Sequence, residues 1–388
     1  MASAAVASGP AVLASRLRPG QPKRILALDG GGVRGLISLA FAERIESILA
    51  ERSGRPDARL ADYFDLIGGT STGAIIAAGL ALGYSAAHMI DLYLELSTKG
   101  FKRQRWLGGT LAPKFDATAL RSVIVELFGT ETLGSSNLRS GLGIVAKRLD
   151  SGSVWLFHNH PEGRFFSPES ADVTPNRDML LADLLRASTA APSYFAPEAL
   201  EVAPGTKGLF VDGGVSPHNN PALLLLMLAT MQGYGFRWPL GADRLMLTSL
   251  GAGTYTPTAT WGTFERTPAA LLGVDSLRAM IQDCGVLAQT MLQWMSNSPT
   301  AWHLDDEIGD LRGDQLAGVP LLHYLRYELP LTNEWLATEL GVHVTPKELE
   351  LLKQIDRPDL AHRLLELGRK AADKQVMASY FTPTFDNP

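Results

Sequence analysis

The sequence predicts an α/β fold: a mainly parallel sheet flanked by helices, with a mostly helical C-terminal region. Two observations carry this. Over the first 85 residues, short apolar runs of strand length alternate with helical patterns, the order that builds a parallel sheet covered by helices. Several of those apolar runs end in glycine clusters, the punctuation of strand-to-helix turns. Composition agrees: of 388 residues, 46% are hydrophobic and 19% charged, enough to bury an ordinary core.

The elements follow in order. Residues 1–23 are Ala-rich, have no charged start, and are broken by Gly9-Pro10, so a flexible tail is expected rather than a targeting segment. Arg24 to Asp29 reads as a buried strand, and residues 36–52 as a helix with Ile37, Phe41, Ile45 and Ile48 on one face. Tyr63 to Ile67 is a second strand, and Ala74 to Leu82 a helix apolar all round, hence buried. Leu142 to Arg148, Val154 to His158, Leu209 to Asp212 and Leu245 to Leu250 are further strands. Asp178 to Ser188 is an amphipathic helix, and Asn220-Pro221 opens a Leu-rich one, since Asn caps and Pro suits the first turn. After residue 255 strand signals fade and helices are expected.

Three motifs carry chemistry. Asp29-Gly30-Gly31-Gly32-Val33-Arg34-Gly35 lies between a strand and a helix. Its glycines permit a sharp turn and close approach, and its free N–H groups favour negative charge. Dinucleotide binding, an oxyanion hole and a purely structural turn all stay open for this loop. The first would also need an acid after the next strand, which instead ends in Gly68-Gly69. Gly69-Thr70-Ser71-Thr72-Gly73 follows a strand and precedes a helix, the setting of a nucleophile elbow, with Gly69 and Gly73 leaving room for the turn. Ser71 then needs a base. Asp212 ends the strand GLFVD before Gly213-Gly214 and would share the sheet's C-terminal edge with Asp29 and Ser71.

DGGGVRG, GTSTG and VDGG, in this order and at these separations, resemble the patatin-like phospholipase family, over roughly residues 25–222. The segment Ala187-Ser188-Thr189-Ala190-Ala191-Pro192 is similar to the family's stretch ahead of its catalytic acid. The resemblance implies a catalytic domain over 24–255 on a doubly wound, three-layer α/β/α fold; residues 256–388 lie outside it and are expected to be mostly helical from their own pattern. It implies a Ser–Asp dyad without histidine: Ser71 as nucleophile and Asp212 as base. It implies an oxyanion hole at Gly30, Gly31 and Gly32, with Arg34 holding that loop. The implied activity is hydrolysis of fatty-acyl esters of phospholipids or related lipids through an acyl-enzyme, with no cofactor and no metal. The alternatives are a thioesterase, acyltransferase or small-ester esterase with the same dyad, and a silent lipid-binding or scaffold module.

Partners follow from charge. A net charge of −5 argues against a nucleic-acid polymer. The expected partner is a lipid at a membrane surface or micelle. Phe101, Lys102, Arg103, Arg105 and Trp106 mix rings and cations in the manner of a lipid contact. A small-molecule or nucleotide activator is compatible with the family but has no motif here. Cys284 is the single cysteine, so no disulfide forms within the chain, and a cytoplasmic location, peripheral to a membrane's inner face, is expected. Asp305, Asp306, Glu307 and Asp310 do not have the spacing of an EF-hand loop and read as a solvated acidic stretch. His218, six residues after Asp212, is expected to pack near the site without taking part in a triad.

Overall fold

A computed structural model describes residues 10–100, 113–255 and 269–386. Its centre is a mixed, mostly parallel sheet of nine strands with helices on both faces. Strand β1 (Lys23–Leu28) is buried along its whole length. Its Ile25 and Ala27 enter one apolar layer while Leu26 and Leu28 enter the other, the period-two alternation of a sheet covered on both sides. The chain continues through α2 (Gly35–Ser53), a short α3 (Leu60–Tyr63), β2 (Leu66–Thr70) and α4 (Thr72–Ala81). Helices α5 (Ala86–Gly100) and α6 (Ala117–Phe128) precede β3 (Gly141–Arg148) and β4 (Val154–His158). Then come α7 (Leu181–Ser188), β5 (Glu198–Ala203), β6 (Thr206–Asp212), α8 (Ala222–Thr230) and β7 (Leu245–Leu250).

The strand order is β5-β6-β3-β2-β1-β7 and onward, with β4 on the free edge of β3. Successive strands run outward from β1 on one side through β2 to β3, and later strands run outward on the other through β7. The winding therefore reverses beside β1, where open α/β sheets place their ligands. Helices α2, α4, α5, α6 and α7 contribute to one layer, and α8 to the other with Phe236 and Trp238. Pro221 is the N-cap of α8, and Asn220 Oδ1, one residue before it, accepts from Ala222 N at 3.0 Å.

Three expectations need correction. Part of the supposed N-terminal tail is α1 (Pro10–Leu17), docked rather than loose. Arg16 donates to the carbonyls of Asp62, Phe64 and Arg139 at 3.0, 2.9 and 3.1 Å, and to Asp65 Oδ1 at 2.9 Å. Leu17 is fully buried, and its carbonyl accepts from Trp238 Nε1 at 2.7 Å. The second strand is Leu66–Thr70, not Tyr63 to Ile67. Tyr63 instead closes α3, whose N-terminus is capped by Asp62 Oδ2 on Arg59 N.

The third correction concerns residues after 255. Following α9 (Ala269–Trp294), β8 (Ser296–Asn297) and β9 (Leu322–Tyr327) extend the sheet beyond β7. β9 pairs parallel with β7 from Met246↔His323 to Leu250↔Tyr327 and is buried throughout. Helices α10 (Asn333–Leu340), α11 (Pro346–Leu352) and α12 (Ala361–Gln375) follow. α12 packs on α2, where a side chain at Gly368 would strike Ala40 and Ile37. Among the described residues, no helix is long and apolar enough to cross a membrane.

Candidate active site

The site begins with main-chain register. On one edge of β3, β2 pairs up to Thr70↔Val145, and antiparallel β6 begins at Ala146↔Asp212. β4 covers the opposite edge across residues 143–147, so β2 and β6 must share the first edge. The two strands meet end to end there. The residue after β2 is Ser71 and the last residue of β6 is Asp212, so the ladder itself brings them together.

Ser71 has φ 56° and ψ −129°, a conformation that side-chain-bearing residues rarely adopt. Such a geometry costs on the order of 1–3 kcal/mol and persists only when its surroundings enforce it. Here they do. Ser71 N donates to Ser188 Oγ at 2.9 Å, and Ser188 Oγ donates to Val145 O at 2.6 Å. Ser71 O accepts from Ala74 N at 2.9 Å, which starts α4. A Cβ at Gly73 would lie 2.5 Å from Leu28 O and 2.6 Å from Asp29 O, and one at Gly69 would collide with the Gly73 carbonyl. Both elbow positions therefore admit only glycine.

Ser71 Oγ donates to Asp212 Oδ2 at 2.5 Å. Asp212 Oδ1 accepts from Gly214 N at 2.7 Å, which fixes the carboxylate's tilt. Burial pushes the Asp212 carboxyl up to about 6, while the bonds from Ser71 and Gly214 and the charge of Arg186 act against it. Arg186 is itself almost wholly buried; its Nη2 donates to Ala196 O at 2.7 Å and its guanidinium lies over Phe195. Asp212 therefore faces the Ser71 hydroxyl directly, with a proton affinity near the neutral range.

His218 does not stand between them. Its carbonyl accepts from Thr70 Oγ1 at 2.6 Å, and its ring makes no hydrogen bond among the described residues. Burial holds its imidazole below the usual range.

The glycine loop packs directly on the serine. A Cβ at Gly30 would sit 3.1 Å from Ser71 Cβ. Gly30 N donates to Asn219 O at 3.1 Å, and Asn219 Nδ2 donates to Gly30 O at 3.2 Å, so this residue is doubly tied. Gly31 N makes a long 3.3 Å bond to Thr72 Oγ1. Gly32 N donates to no acceptor among the described residues. Its φ of +58° and the nearby Ile355 carbonyl exclude any side chain there. Arg34 Nη1 donates to Gly253 O at 3.2 Å, and its guanidinium lies over the Tyr255 ring.

The structure thus brings together Ser71, Asp212, Gly30, Gly31, Gly32, Arg34, Gly69 and Gly73. Phe101, Lys102, Arg103, Arg105 and Trp106 lie outside the described residues. Ser188, Thr72 and Asn219 also shape the site without having been singled out as site residues. For Ser188 a signal existed in the segment ASTAAP; the other two hide inside or beside motifs read for their neighbours. In the acidic stretch, Asp305 Oδ1 accepts from Glu307 N and Ile308 N, closing its own turn, and no metal-ligating cluster occurs among the described residues.

Comparison with known proteins follows the same outline. A family model described as patatin-like phospholipase matches residues 26–226. The cGAMP-activated phospholipase of Escherichia coli (strain TW11681) is 34% identical over 53% of this chain and 55% of its own length. Patatin-T5 of Solanum tuberosum is 32% identical over 63% of this chain and 66% of its own. Patatin-like protein 1 of Arabidopsis thaliana is 32% identical over 59% and 58% respectively. The chain thus spans between about half and two thirds of the length of these relatives. The matched region runs from the first strand, through the glycine loop and the serine elbow, to the helix after Asp212, and the chain belongs to the patatin-like phospholipase family.

Proposed function

We infer that this chain hydrolyses fatty-acyl esters of phospholipids or related lipids, with Ser71 as nucleophile and Asp212 as general base. The observation that carries this reading is the direct 2.5 Å hydrogen bond from Ser71 Oγ to Asp212 Oδ2. Ionised Asp212 takes the Ser71 proton as Oγ attacks the ester carbonyl carbon. The carbonyl oxygen becomes an oxyanion. Unengaged Gly32 N–H and weakly engaged Gly31 N–H are the donors available to it, with the N-terminus of α4 beneath Ser71. Collapse breaks the bond to the alcohol, which leaves with the proton from Asp212, and Ser71 is acylated. Water then attacks the acyl carbon, gives its proton to Asp212, and the fatty acid departs as Ser71 regains a proton.

The substrate reaches the site from a membrane surface or micelle, and the Phe101 to Trp106 stretch supplies rings and cations suited to that contact. Profiling released products from a lipid panel with wild type and Ser71→Ala tests the reading. Wild type should release free fatty acid and label with a fluorophosphonate, and Ser71→Ala should do neither. Fatty-acid release at the wild-type rate by Ser71→Ala would remove the serine from the mechanism. Acyl groups recovered on an added alcohol or thiol, rather than as free acid, would reassign the protein as an acyltransferase. One relative is named for activation by cGAMP. Adding cGAMP to the same assay tests whether such control extends here.

A further inference from the structure

Asp29 precedes the glycine loop, yet its carboxylate does not face Ser71. It faces β9. Arg326 Nη1 and Nη2 donate to Asp29 Oδ1 and Oδ2 at 3.1 and 2.7 Å, a two-pronged fork, and Nη1 also donates to Ser249 Oγ at 2.7 Å. Arg326 Nη2 further donates to Glu328 Oε2 at 2.6 Å. Arg326 and Glu328 are each 4% exposed and Asp29 is 7% exposed. Three charges are thus buried across the C-terminal ends of β1, β7 and β9.

Glu328 reaches the loop after β7. Its Oε1 accepts from Gly253 N at 2.9 Å, and a side chain at Gly251 would strike the Glu328 carboxylate. That loop in turn seats the glycine loop. Ala252 occupies the space a side chain at Gly31 would take, and Gly253 O holds Arg34. Besides Ser249 of β7, the web thus reaches two loops, residues 29–34 and 251–253. A buried ionic group of this kind rarely adds net stability over apolar residues of equal volume, because desolvation offsets the attraction. What a bidentate guanidinium adds is direction.

Resting on the assignment of Gly30–Gly32 as oxyanion donors, we propose that Arg326 is a positioning residue for the reaction: through Asp29 and Glu328 it sets both walls of the oxyanion loop. The glycines have no side chains with which to hold themselves. Gly31 N–H makes only a long bond, so its placement depends on what precedes and faces it. Lysine offers a charge but no fork, and asparagine at position 29 keeps shape but loses one acceptor.

The test uses Arg326→Lys and Asp29→Asn in the full chain, assayed on a soluble short-chain ester. Both variants should unfold cooperatively and show a kcat lowered about 10- to 100-fold, less than or near the loss of one oxyanion donor. KM should stay within about threefold of wild type, because the loop acts on the transition state. The rate of fluorophosphonate labelling at Ser71 should fall by the same factor as kcat, and the acid limb of the pH profile should not move, since Asp212 is untouched. Wild-type kcat in both folded variants, or a loss confined to KM, would overturn the proposal. Should Arg326→Lys not fold, Asp29→Asn, which exchanges one oxygen for an amide nitrogen, decides alone by the same readouts. Ser71→Ala is run alongside. If it keeps turnover, the site assignment itself has failed; if it is dead while both variants match wild type, only the clamp has.

Discussion

In the proposed mechanism Asp212 must be ionised to accept the Ser71 proton, and burial resists that ionisation, raising its carboxyl to about 6. The activity of the free enzyme should therefore rise with pH along a limb centred near 6, measured as kcat/KM on a soluble ester. The sign for stability is opposite. A carboxyl whose pKa is higher folded than unfolded holds its proton more tightly in the native state. Its contribution is greatest below the unfolded value and diminishes as pH rises through about 6. Asp212→Asn should consequently lose about 10³-fold or more in kcat while melting no lower than wild type at pH 8. His218→Ala should stay within about tenfold of wild type, because its ring bonds to neither partner. A folded His218→Ala as inactive as Ser71→Ala would demand a triad. At this scale the motifs made Ser71, Asp212 and the three glycines legible. Arg326 and Glu328 were not legible. Their role depends on β7 lying between β1 and β9, and nothing local in LHYLRYE announces an ionic partner almost 300 positions away.

The elbow joins β2 to α4, and its tolerance is set by backbone, not by side chains that could rotate away. Gly73→Ala pushes a methyl against the Leu28 and Asp29 carbonyls. The expected cost is about 2–4 kcal/mol by chemical denaturation, with activity lost as the serine turn relaxes. Gly233→Ala meets nothing within 4 Å and should change stability by less than about 0.5 kcal/mol. Equal effects from the two would mean that crowding does not set the elbow. The same crowding explains why β2 was misplaced. Gly68 and Gly69 read as a turn, yet they are paired strand residues, because Leu225 and the Gly73 carbonyl leave no space for side chains. β9 escaped notice for a related reason. His323 and Arg326 interrupt its apolar run, and only burial with partners such as Asp29 and the Tyr380 carbonyl makes them acceptable in a central strand.

Across the whole molecule, one carboxylate gathers distant parts of the chain. Asp65 accepts from Arg16 of α1 and, at 3.0 and 3.2 Å, from Arg24 of β1, whose Nη1 also reaches Phe385 O. Burial alone would raise the Asp65 carboxyl, but Arg24 and Arg16 outweigh it and hold it below its ordinary value, so this contribution persists at neutral pH and is lost on acidification through that lowered value. Arg16→Ala should cost about 2–4 kcal/mol in urea unfolding, since carbonyls around α3 lose their donor and Asp65 loses one of its cations, keeping Arg24 and Lys23. An unchanged midpoint would mean that α1 is merely laid on the surface. The alternating strand and helix pattern was legible before residue 85, and the docked first helix was not, because Arg16 and two leucines, Leu13 and Leu17, attach it and no extended apolar stripe marks it in an Ala-rich stretch.

The meeting of β2 and β6 on one edge of β3 also bears on how this protein can change. Ser71 and Asp212 are 141 positions apart in the chain, yet their separation is set by adjacent rungs, Val145 and Ala146, of a single strand. The chain between them can gain or lose residues at its loops without altering the distance between the two side chains. A slip of β6 by one residue, in contrast, would turn Asp212 to the opposite face of the sheet. Variation can thus accumulate in the connections while the Ser71–Asp212 pair stays fixed by the pairing, much as different tools fit one handle.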